Sequence, residues 1–227
     1  MTGASGAIGS AIARRLAAAG ARVALSGRDG DRLERLAAAI AGGAEPMPAD
    51  LTRAGAAEEL AARALRALGG LDLLVHAAGA LEPGRVEASG LDALDRQLEV
   101  NLRAPWALTR ALLPELRRRE GQIAFVNSTV TPRSGLAAYA ASKAALKAFA
   151  DGLRQEINAD GVRVLSIYPG RTASALLEEL ARASGESWDP ERLMRPDDVA
   201  QALVAALELP RTAEVTEVFL RPMRPPA

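Results

Sequence analysis

The amino-acid sequence predicts an α/β fold in which a doubly wound parallel sheet carries helices on both faces. Short apolar runs typical of buried strands alternate along the whole chain with Ala- and Leu-rich segments typical of helices, which is the pattern of a parallel sheet. A glycine-rich turn near the start leads directly into a helical segment. Hydrophobic residues make up 49% of the 227 residues, which is enough for a single packed domain over residues 1–227.

The helices are predicted where strong helix formers follow one another, and the strands where short apolar runs end at turn residues. In the longest helical segment, Pro105 and Pro114 predict bends or breaks, because proline removes a helical hydrogen bond. The predicted helices cover 10–16, 31–40, 54–68, 91–119, 137–158 and 197–207, and the predicted strands cover 22–26, 45–49, 71–76, 122–127, 162–168 and 215–220.

Composition and charge exclude several classes of protein. The 28 basic and 28 acidic residues cancel, so nothing electrostatic favours binding to nucleic acid or to an anionic membrane. Because the chain has no Cys and His76 is its only His, we expect no disulfide and no metal site built on thiolates or several imidazoles. No apolar run is long enough to span a bilayer and no signal peptide is visible, which predicts a cytoplasmic protein.

Tyr139 and Lys143 lie four residues apart in the predicted helix 137–158, so they share one face of it. An unperturbed tyrosine has a pKa of about 10 and is a poor acid or base near neutral pH. A neighbouring ammonium favours the phenolate and makes the phenol a better proton shuttle. The two residues are therefore a candidate catalytic pair, although a helical Tyr and an unrelated surface Lys would show the same spacing.

Residues 2–9 form the glycine-rich turn in front of the first predicted helix. Glycine lets the backbone turn sharply and approach a diphosphate, whose charge then meets the N–H groups at the helix start. Alone, such a turn is weak evidence, because many glycine-rich turns only connect a strand to a helix. Here it opens a strand–helix alternation, and ligands of such sheets bind beyond the carboxyl ends of the strands.

The ordered set of motifs resembles the short-chain dehydrogenase/reductase family, whose members have a Rossmann-like fold and use a nicotinamide cofactor. The resemblance covers essentially the whole chain: Thr2-Gly3 to Gly9 matches the family's glycine motif, and the segment 76–79 stands where the family has Asn-Asn-Ala-Gly. Residues 168–172 are similar to its Pro-Gly-x-x-Thr stretch. The resemblance implies the catalytic residues Asn101, Ser128, Tyr139 and Lys143, and the cofactor-binding residues Gly3, Ser5, Ala7, Ile8, Gly9, Arg28, Asp50, Leu51, Ala77, Ala78, Gly79, Asn101, Tyr139, Lys143, Pro169, Gly170 and Thr172.

The same resemblance implies hydride transfer between the nicotinamide and a carbonyl or alcohol carbon. Ser128 would hydrogen-bond the substrate oxygen, and Tyr139 would give or take its proton. Lys143 would lower the pKa of Tyr139 and hold the nicotinamide ribose, while Asn101 would anchor a water that connects Lys143 to solvent. Family members commonly pair through the helices that carry Asn101 and Tyr139, which implies a homodimer or homotetramer. An alternative of a different class is a nucleotide sensor or scaffold that keeps the fold with little turnover.

The sequence departs from the family pattern at its start. An apolar central strand precedes the glycine motif in the family, whereas only Met1 precedes Thr2 here. We expect the sheet to lack this first, central strand, which leaves unpaired backbone groups on its neighbours and a gap in the core. We also expect that the natural chain begins several residues earlier, with an in-frame valine codon read as the start.

Three smaller departures concern the site itself. Ala7 replaces a glycine of the turn, and we expect a single methyl group to leave binding intact. His76-Ala77 replaces a pair of asparagines, and His76 is expected at the wall near the cofactor rather than as a proton donor. Ser128 lies 11 residues before Tyr139, about two fewer than is usual in the family, so Asn127 and Thr129 leave its register open.

The loop after the strand 22–26 favours NADP over NAD. In dinucleotide folds an acidic residue at this strand end binds the ribose hydroxyl of NAD, whereas a nearby Arg accommodates the additional phosphate of NADP. Arg28 follows the strand, and a guanidinium can donate two parallel hydrogen bonds to a phosphate. Asp29 stands one position late for the ribose and is alternatively a cap of the next helix. By resemblance, Asp50 and Leu51 would border the adenine.

Three segments, 80–89, 130–136 and 171–195, are expected to form the substrate pocket. The last of them is predicted to be a possible mobile lid, with Gly185 as a flexible point. The apolar side chains that these segments offer predict a small or medium, largely apolar carbonyl or alcohol substrate: Leu81, Val130, Leu136, Leu176, Leu177 and Trp188.

Overall fold

The computed structural model describes residues 1–130, 132, 134–185 and 187–224. Thr131, Arg133, Glu186 and the tail 225–227 lie outside the described residues, as do the parts of the predicted pocket, lid and tail that fall on them. The described chain contains the strands β1 (Ala24–Gly27), β2 (Glu45–Pro48), β3 (Leu73–His76), β4 (Gln122–Val126), β5 (Arg163–Pro169) and β6 (Glu217–Leu220). Its α-helices are α1 (Ala7–Ala18), α2 (Gly30–Ala38), α3 (Ala56–Leu68), α4 (Leu91–Leu98), α5 (Ala104–Arg118), α6 (Ala137–Ile157), α7 (Ala175–Ser184) and α8 (Pro196–Leu207).

All strand pairs are parallel, as predicted, but the sheet is divided into two parts. β1 pairs with β2, and the second part has the order β3-β4-β5-β6. Met1 and Thr2 lie between the parts: the Ser26 N–H donates to the Met1 carbonyl at 2.9 Å, and the Thr2 N–H donates to the Val75 carbonyl at 2.9 Å. The predicted absence of a first, central strand is therefore present in the structure as this narrow junction.

The predicted gap in the core is also present, beside the junction. A cavity of about 20 Å³ lies there, with a lining that is mostly apolar. Such a void removes packing contacts from the side chains around it. Its lining residues are Met1, Thr2, Ala24, Ser26, Met47, Leu60, Ala64, Leu71, Leu74, Leu108 and Leu112.

Helices cover both faces of the sheet, and the strands bury side chains on each face. Along β4, Ile123 and Phe125 pack with α3, α5 and α6, whereas Ala124 and Val126 pack with α1, α2 and α8. Successive residues of a strand point to opposite faces, so a strand buried on both sides is apolar throughout. This arrangement fixes the carboxyl ends of β3, β4 and β5 at one edge, where the candidate site lies.

The segment predicted as one long helix consists of three pieces. Between α4 and α5 the backbone forms a π-helical turn, Glu99–Arg103, and Pro105 follows as the second residue of α5. Pro114 lies inside α5 without ending it. The sequence analysis missed α7, which occupies part of the predicted lid. Among the described residues, no helix is both long enough and apolar enough to cross a membrane.

Candidate active site

The first turns of α6 carry Tyr139 and Lys143 on one face. The Lys143 ammonium lies 5.9 Å from the centroid of the Tyr139 ring, and its Nζ donates to the Val126 carbonyl at 3.0 Å. Lys143 is only 5% exposed. The predicted pair is thus a spatial pair, and it is anchored to the carboxyl end of β4.

Ser128 follows the same strand and lies beside the phenol, where its hydrogen bond lowers the pKa of Tyr139. Its two neighbours have other partners. The Asn127 Oδ1 accepts from the Ser128 N–H at 3.0 Å, and the Thr129 hydroxyl donates to the Pro169 carbonyl at 3.4 Å. Of the three residues that the sequence left open, Ser128 is therefore the one that contacts Tyr139.

Burial controls the ionisation of the pair. Burial raises the pKa of Tyr139 above its usual value of 10.0, and the hydrogen bond from Ser128 offsets only part of that rise. Burial also lowers the pKa of Lys143 to about 8. We expected Lys143 to lower the pKa of Tyr139, but the net shift of Tyr139 is upward, because removal of the phenol from water costs more than its neighbours return.

Asn101 lies in the π-helical turn and is fully buried. Its amide accepts from the Ala80 N–H and donates to the Ala80 carbonyl, both at 2.8 Å, and it also donates to the Ser142 hydroxyl at 2.9 Å. These three bonds tie α6 to the loop after β3. A Cβ at Gly79 would lie 3.6 Å from the Asn101 Oδ1 and 3.8 Å from the Lys143 Nζ, so the predicted cofactor segment 77–79 runs past both residues.

The glycine-rich turn approaches the same segment closely. Gly3 has a φ of 66°, and a Cβ on it would lie 2.4 Å from the carbonyl carbon of Ala77. A Cβ on Gly9 would lie 2.0 Å from the Gly3 carbonyl oxygen. No side chain caps α1, whose N-cap is Gly6, so the first N–H groups of the helix face outward without a capping partner. A glycine cradle with free helical N–H groups fits the diphosphate of a dinucleotide.

His76 lies away from this cradle, beneath the sheet. Its ring stacks on Phe125 with centroids 5.0 Å apart, and its Nε2 lies 2.8 Å from the Thr109 hydroxyl. Burial lowers its pKa to about 3, so the ring is neutral at pH 7. The expectation of a wall position next to the cofactor was wrong, because the side chain packs among buried residues of the opposite face.

The predicted adenine end lies at the carboxyl ends of β1 and β2. Arg28 is exposed, and the Asp29 carboxylate caps α2 by accepting from the Arg32 N–H at 3.0 Å. Hydrogen bonds from Thr52 hold the pKa of Asp50 below its usual value, and the nearby charge of Arg28 contributes. The capping alternative for Asp29 is thus the one that the structure shows, which leaves Arg28 at the strand end.

A cavity of about 400 Å³ joins the glycine turn to the catalytic residues, because Ile8 and Tyr139 both line it. Trp188 is not among its lining residues. The other expected pocket side chains do line it, and α7 supplies four of the apolar ones. The lining consists of Ile8, Leu81, Asn127, Ser128, Thr129, Val130, Leu136, Tyr139, Pro169, Gly170, Arg171, Thr172, Ser174, Leu176, Leu177, Leu180 and Ala181.

Ser174 is a pocket residue that the sequence analysis missed. Its hydroxyl accepts from the Leu177 N–H at 3.2 Å and caps α7. The signal was available, because a serine directly before an Ala/Leu-rich run is a typical N-cap. The Thr172 hydroxyl, in contrast, donates to the Gly170 carbonyl at 3.0 Å, and Thr172 is only 5% exposed. Within the described ranges, no group of three or more His, Cys, Asp or Glu residues could hold a metal ion.

Comparison with known proteins gives concordant matches. The family described as "short chain dehydrogenase" matches residues 1–185. An uncharacterized oxidoreductase of Staphylococcus saprophyticus is 34% identical over 233 residues, which cover 98% of this chain and 96% of that protein.

Three solved structures are similar in fold. An alcohol dehydrogenase from the archaeon Thermococcus sibiricus, complexed with 5-hydroxy-NADP, has a TM-score of 0.88 at 29% identity and covers 100% of this chain and 97% of its own. A metagenomic short-chain oxidoreductase in complex with NADP has a TM-score of 0.85 at 32% identity, with coverages of 99% and 96%. A 3-ketoacyl-(acyl-carrier-protein) reductase from Brucella melitensis, complexed with NADH, has a TM-score of 0.86 at 28% identity, with coverages of 96% and 94%.

Proposed function

Because the chain belongs to the short-chain dehydrogenase family, we propose that this oxidoreductase transfers a hydride between NADP(H) and the carbonyl carbon of a ketone or the carbinol carbon of a secondary alcohol. One observation carries the proposal: Tyr139 lies in the wall of a cavity of about 400 Å³, with Ser128 beside its phenol and Lys143 one helical turn away. The catalytic residues are Asn101, Ser128, Tyr139 and Lys143.

The residues act on the substrate oxygen. With its pKa raised, Tyr139 is protonated at neutral pH and donates its proton to the carbonyl oxygen when the substrate is reduced. The Ser128 hydroxyl donates a hydrogen bond to the same oxygen, which gains negative charge during the reaction, so a preplaced donor stabilises the transition state more than the ground state. A bound nicotinamide supplies the hydride chemistry.

Lys143 acts through the phenol rather than on the substrate. With a pKa of about 8 it is mostly an ammonium at pH 7, and its charge stabilises the phenolate that remains after the proton has left. Asn101 holds the loop after β3 through Ala80 and so positions the residues that face the nicotinamide ribose.

The preference for NADP rests on Arg28. The cradle around Gly3 and Gly9 and the start of α1 receive the diphosphate, and the exposed Arg28 guanidinium receives the additional phosphate of NADP. Asp29 is engaged as a helix cap and is therefore a poor ligand for a ribose hydroxyl. Two of the similar structures are NADP complexes, whereas the Brucella reductase is an NADH complex, so the preference needs a direct test.

The surroundings of the site support three coarser proposals. The leucines in the cavity wall favour an apolar substrate, and the segment 171–195, which contains α7, acts as its lid. Trp106 on α5 is 54% exposed and stacks on Phe149 of α6, which favours a homodimer or homotetramer that covers these helices. We place the enzyme in the cytoplasm.

The proposal is tested by thermal melting of the protein with NADPH, with NADH and without nucleotide. A ligand at about 100 times its dissociation constant should add about 2.7 kcal/mol of stability. We expect NADPH to raise the melting temperature clearly more than NADH. Arg28→Ala is the matched variant, and it should abolish the difference between the two nucleotides. No shift with either nucleotide would contradict the proposal.

A further inference from the structure

Asn127 carries a buried donor that the proposed mechanism does not use. The residue directly follows β4 and is 5% exposed. Its Oδ1 accepts from the Ser128 N–H at 3.0 Å, and its own N–H donates to the Ile167 carbonyl at 2.8 Å. The side-chain nitrogen Nδ2, however, is buried without a hydrogen-bond partner among the described residues. Because the Oδ1 has a partner, exchanging the two ends of the amide would not remove the problem.

This donor belongs to the wall of the candidate active site, because Asn127 lines the same cavity as Ser128 and Tyr139. A simple ketone offers one oxygen, and the two hydroxyl groups of Ser128 and Tyr139 already supply its hydrogen bonds. The Asn127 amide is then a third donor with no acceptor. A buried N–H group without an acceptor is costly, so a ligand that brings a second acceptor to it is favoured over one that does not.

We propose that Asn127 determines substrate specificity by donating a hydrogen bond to a second oxygen of the substrate. This inference rests on the proposed function and names the substrate class: ketones with a second carbonyl or ester oxygen one or two carbons from the reacting carbonyl. The two oxygens must be close together, because Asn127 and Ser128 are consecutive residues. The apolar remainder of the substrate then packs against Leu136 and Leu177.

The chemical balance is that of an ordinary carbonyl reduction. NADPH is oxidised as its hydride forms the new bond to one carbonyl carbon, and Tyr139 supplies the proton that this oxygen takes up. The product is a hydroxyketone or a hydroxyester. The second oxygen accepts a hydrogen bond from Asn127 and is unchanged by the reaction.

The test compares diacetyl with butanone, which has nearly the same shape and lacks the second oxygen. We would measure kcat/KM for both substrates with the wild-type protein and with Asn127→Ala. The ratio of diacetyl to butanone should fall by about tenfold in the variant, because one buried hydrogen bond is lost. Taking the ratio between proteins cancels the greater intrinsic reactivity of diacetyl. Thr109→Val is the matched control, since it removes a buried hydroxyl outside the cavity and should leave the ratio unchanged.

The dissociation constant of NADPH, measured by fluorescence, separates the alternatives. If both substrates lose the same factor in Asn127→Ala, the residue is structural and the inference is wrong. An unchanged ratio with weaker NADPH binding also overturns it, because the amide then serves the cofactor. If the wild-type protein binds NADPH but reduces neither ketone nor any simple carbonyl, the proposed function fails as well.

A measurement on the wild-type protein keeps the inference testable if Asn127→Ala does not fold. In the presence of NADP, acetoin and sec-butanol are compared as inhibitors, because they are the products of the two reductions. Acetoin should bind about tenfold more tightly than sec-butanol, since only acetoin keeps an acceptor for Asn127. Equal inhibition by the two alcohols would overturn the inference.

Discussion

The two parts of the divided sheet treat charged and polar groups differently. Around β3, β4 and β5, the side chains of His76, Tyr139 and Lys143 are withdrawn from water, and burial is the first cause of each pKa shift. Beside β1 and β2, Arg28 is exposed, and hydrogen bonds from Thr52 are the main cause of the shift of Asp50. The comparison indicates that the catalytic part works through exclusion of water, whereas the nucleotide part works through complementary charge.

The largest effect should come from the catalytic part. Tyr139→Phe removes the proton donor and keeps the ring, so kcat should fall by about 10²–10⁴-fold. The dissociation constant of NADPH should stay within about twofold, because the proposed phosphate contacts lie elsewhere. Steady-state kinetics and a fluorescence titration measure the two quantities. Turnover that survives this change would favour the sensor or scaffold alternative.

The next prediction concerns the cost of burying Lys143. The unfolded chain keeps a lysine pKa of 10.5 and the folded state has one of about 8, so wild-type stability is lost as pH falls from 10.5 through 8. Lys143→Met should therefore be about 2 kcal/mol more stable than wild type near pH 7, after loss of the bond to the Val126 carbonyl. The gain should shrink as pH rises towards 10.5, and activity should be lost.

Lys147, one turn further along α6, is the matched control. It is 44% exposed and pairs with Glu217 and Asp151, which raise its pKa. Its charge therefore contributes stability below the unfolded pKa, and Lys147→Met should lower the free energy of unfolding rather than raise it. Urea unfolding between pH 7 and 10 measures both variants. Equal behaviour of the two lysines would contradict the role assigned to burial.

A smaller effect is expected in the nucleotide part. Arg28→Ala should weaken NADPH binding by about tenfold, the value of one charge-assisted hydrogen bond, and should leave NADH binding unchanged. The exposed Arg35 at the end of α2 serves as the control, and Arg35→Ala should change neither constant. Competitive fluorescence titrations at two salt concentrations measure both. A loss of NADH binding equal to that of NADPH would remove Arg28 as the basis of the preference.

The smallest effect is expected at the junction between the two parts. Thr2 is 3% exposed, and its hydroxyl accepts from the Ala78 N–H at 3.4 Å. Thr2→Val keeps the shape and removes this acceptor, so the protein should lose about 1 kcal/mol of stability. The same change at the exposed Thr52 should cost less than about 0.5 kcal/mol. Denaturant unfolding compares the two variants, and an equal loss would mean that burial at the junction has no special weight.

The sequence predicted the parts of the fold that depend on local pattern. The alternation of apolar runs and helical segments was sufficient for the six strands, and Tyr139 and Lys143 came from helical spacing alone. The π-helical turn at Asn101 could not be predicted, because it depends on the bonds of the Asn101 amide to Ala80 and Ser142. The partner of Tyr139 was also open, since the shortened loop fits several registers until Asn127 and Thr129 find other partners.

The errors have a common physical origin in tertiary burial. The sign of the Tyr139 shift was wrong because a pKa depends on how much water the fold removes, which no spacing reveals. His76 was misplaced for the same reason, since its position at the end of β3 did not show which face of the sheet the ring would enter. Residue identity predicted the chemistry of each group, while packing determined its charge state.

The junction at Met1 and Thr2 has a consequence for the order in which the molecule opens. The backbone bonds that join β1 to the rest of the sheet come from this short segment, whereas β4 is paired along its length on both sides. Regions with fewer backbone bonds open at lower free energy, so amide protons of β1 and β2 should exchange with deuterium before those of β4 and β5. A dinucleotide that bridges Arg28 and Tyr139 would narrow this difference, and the cofactor would thus act as a mechanical brace across the molecule.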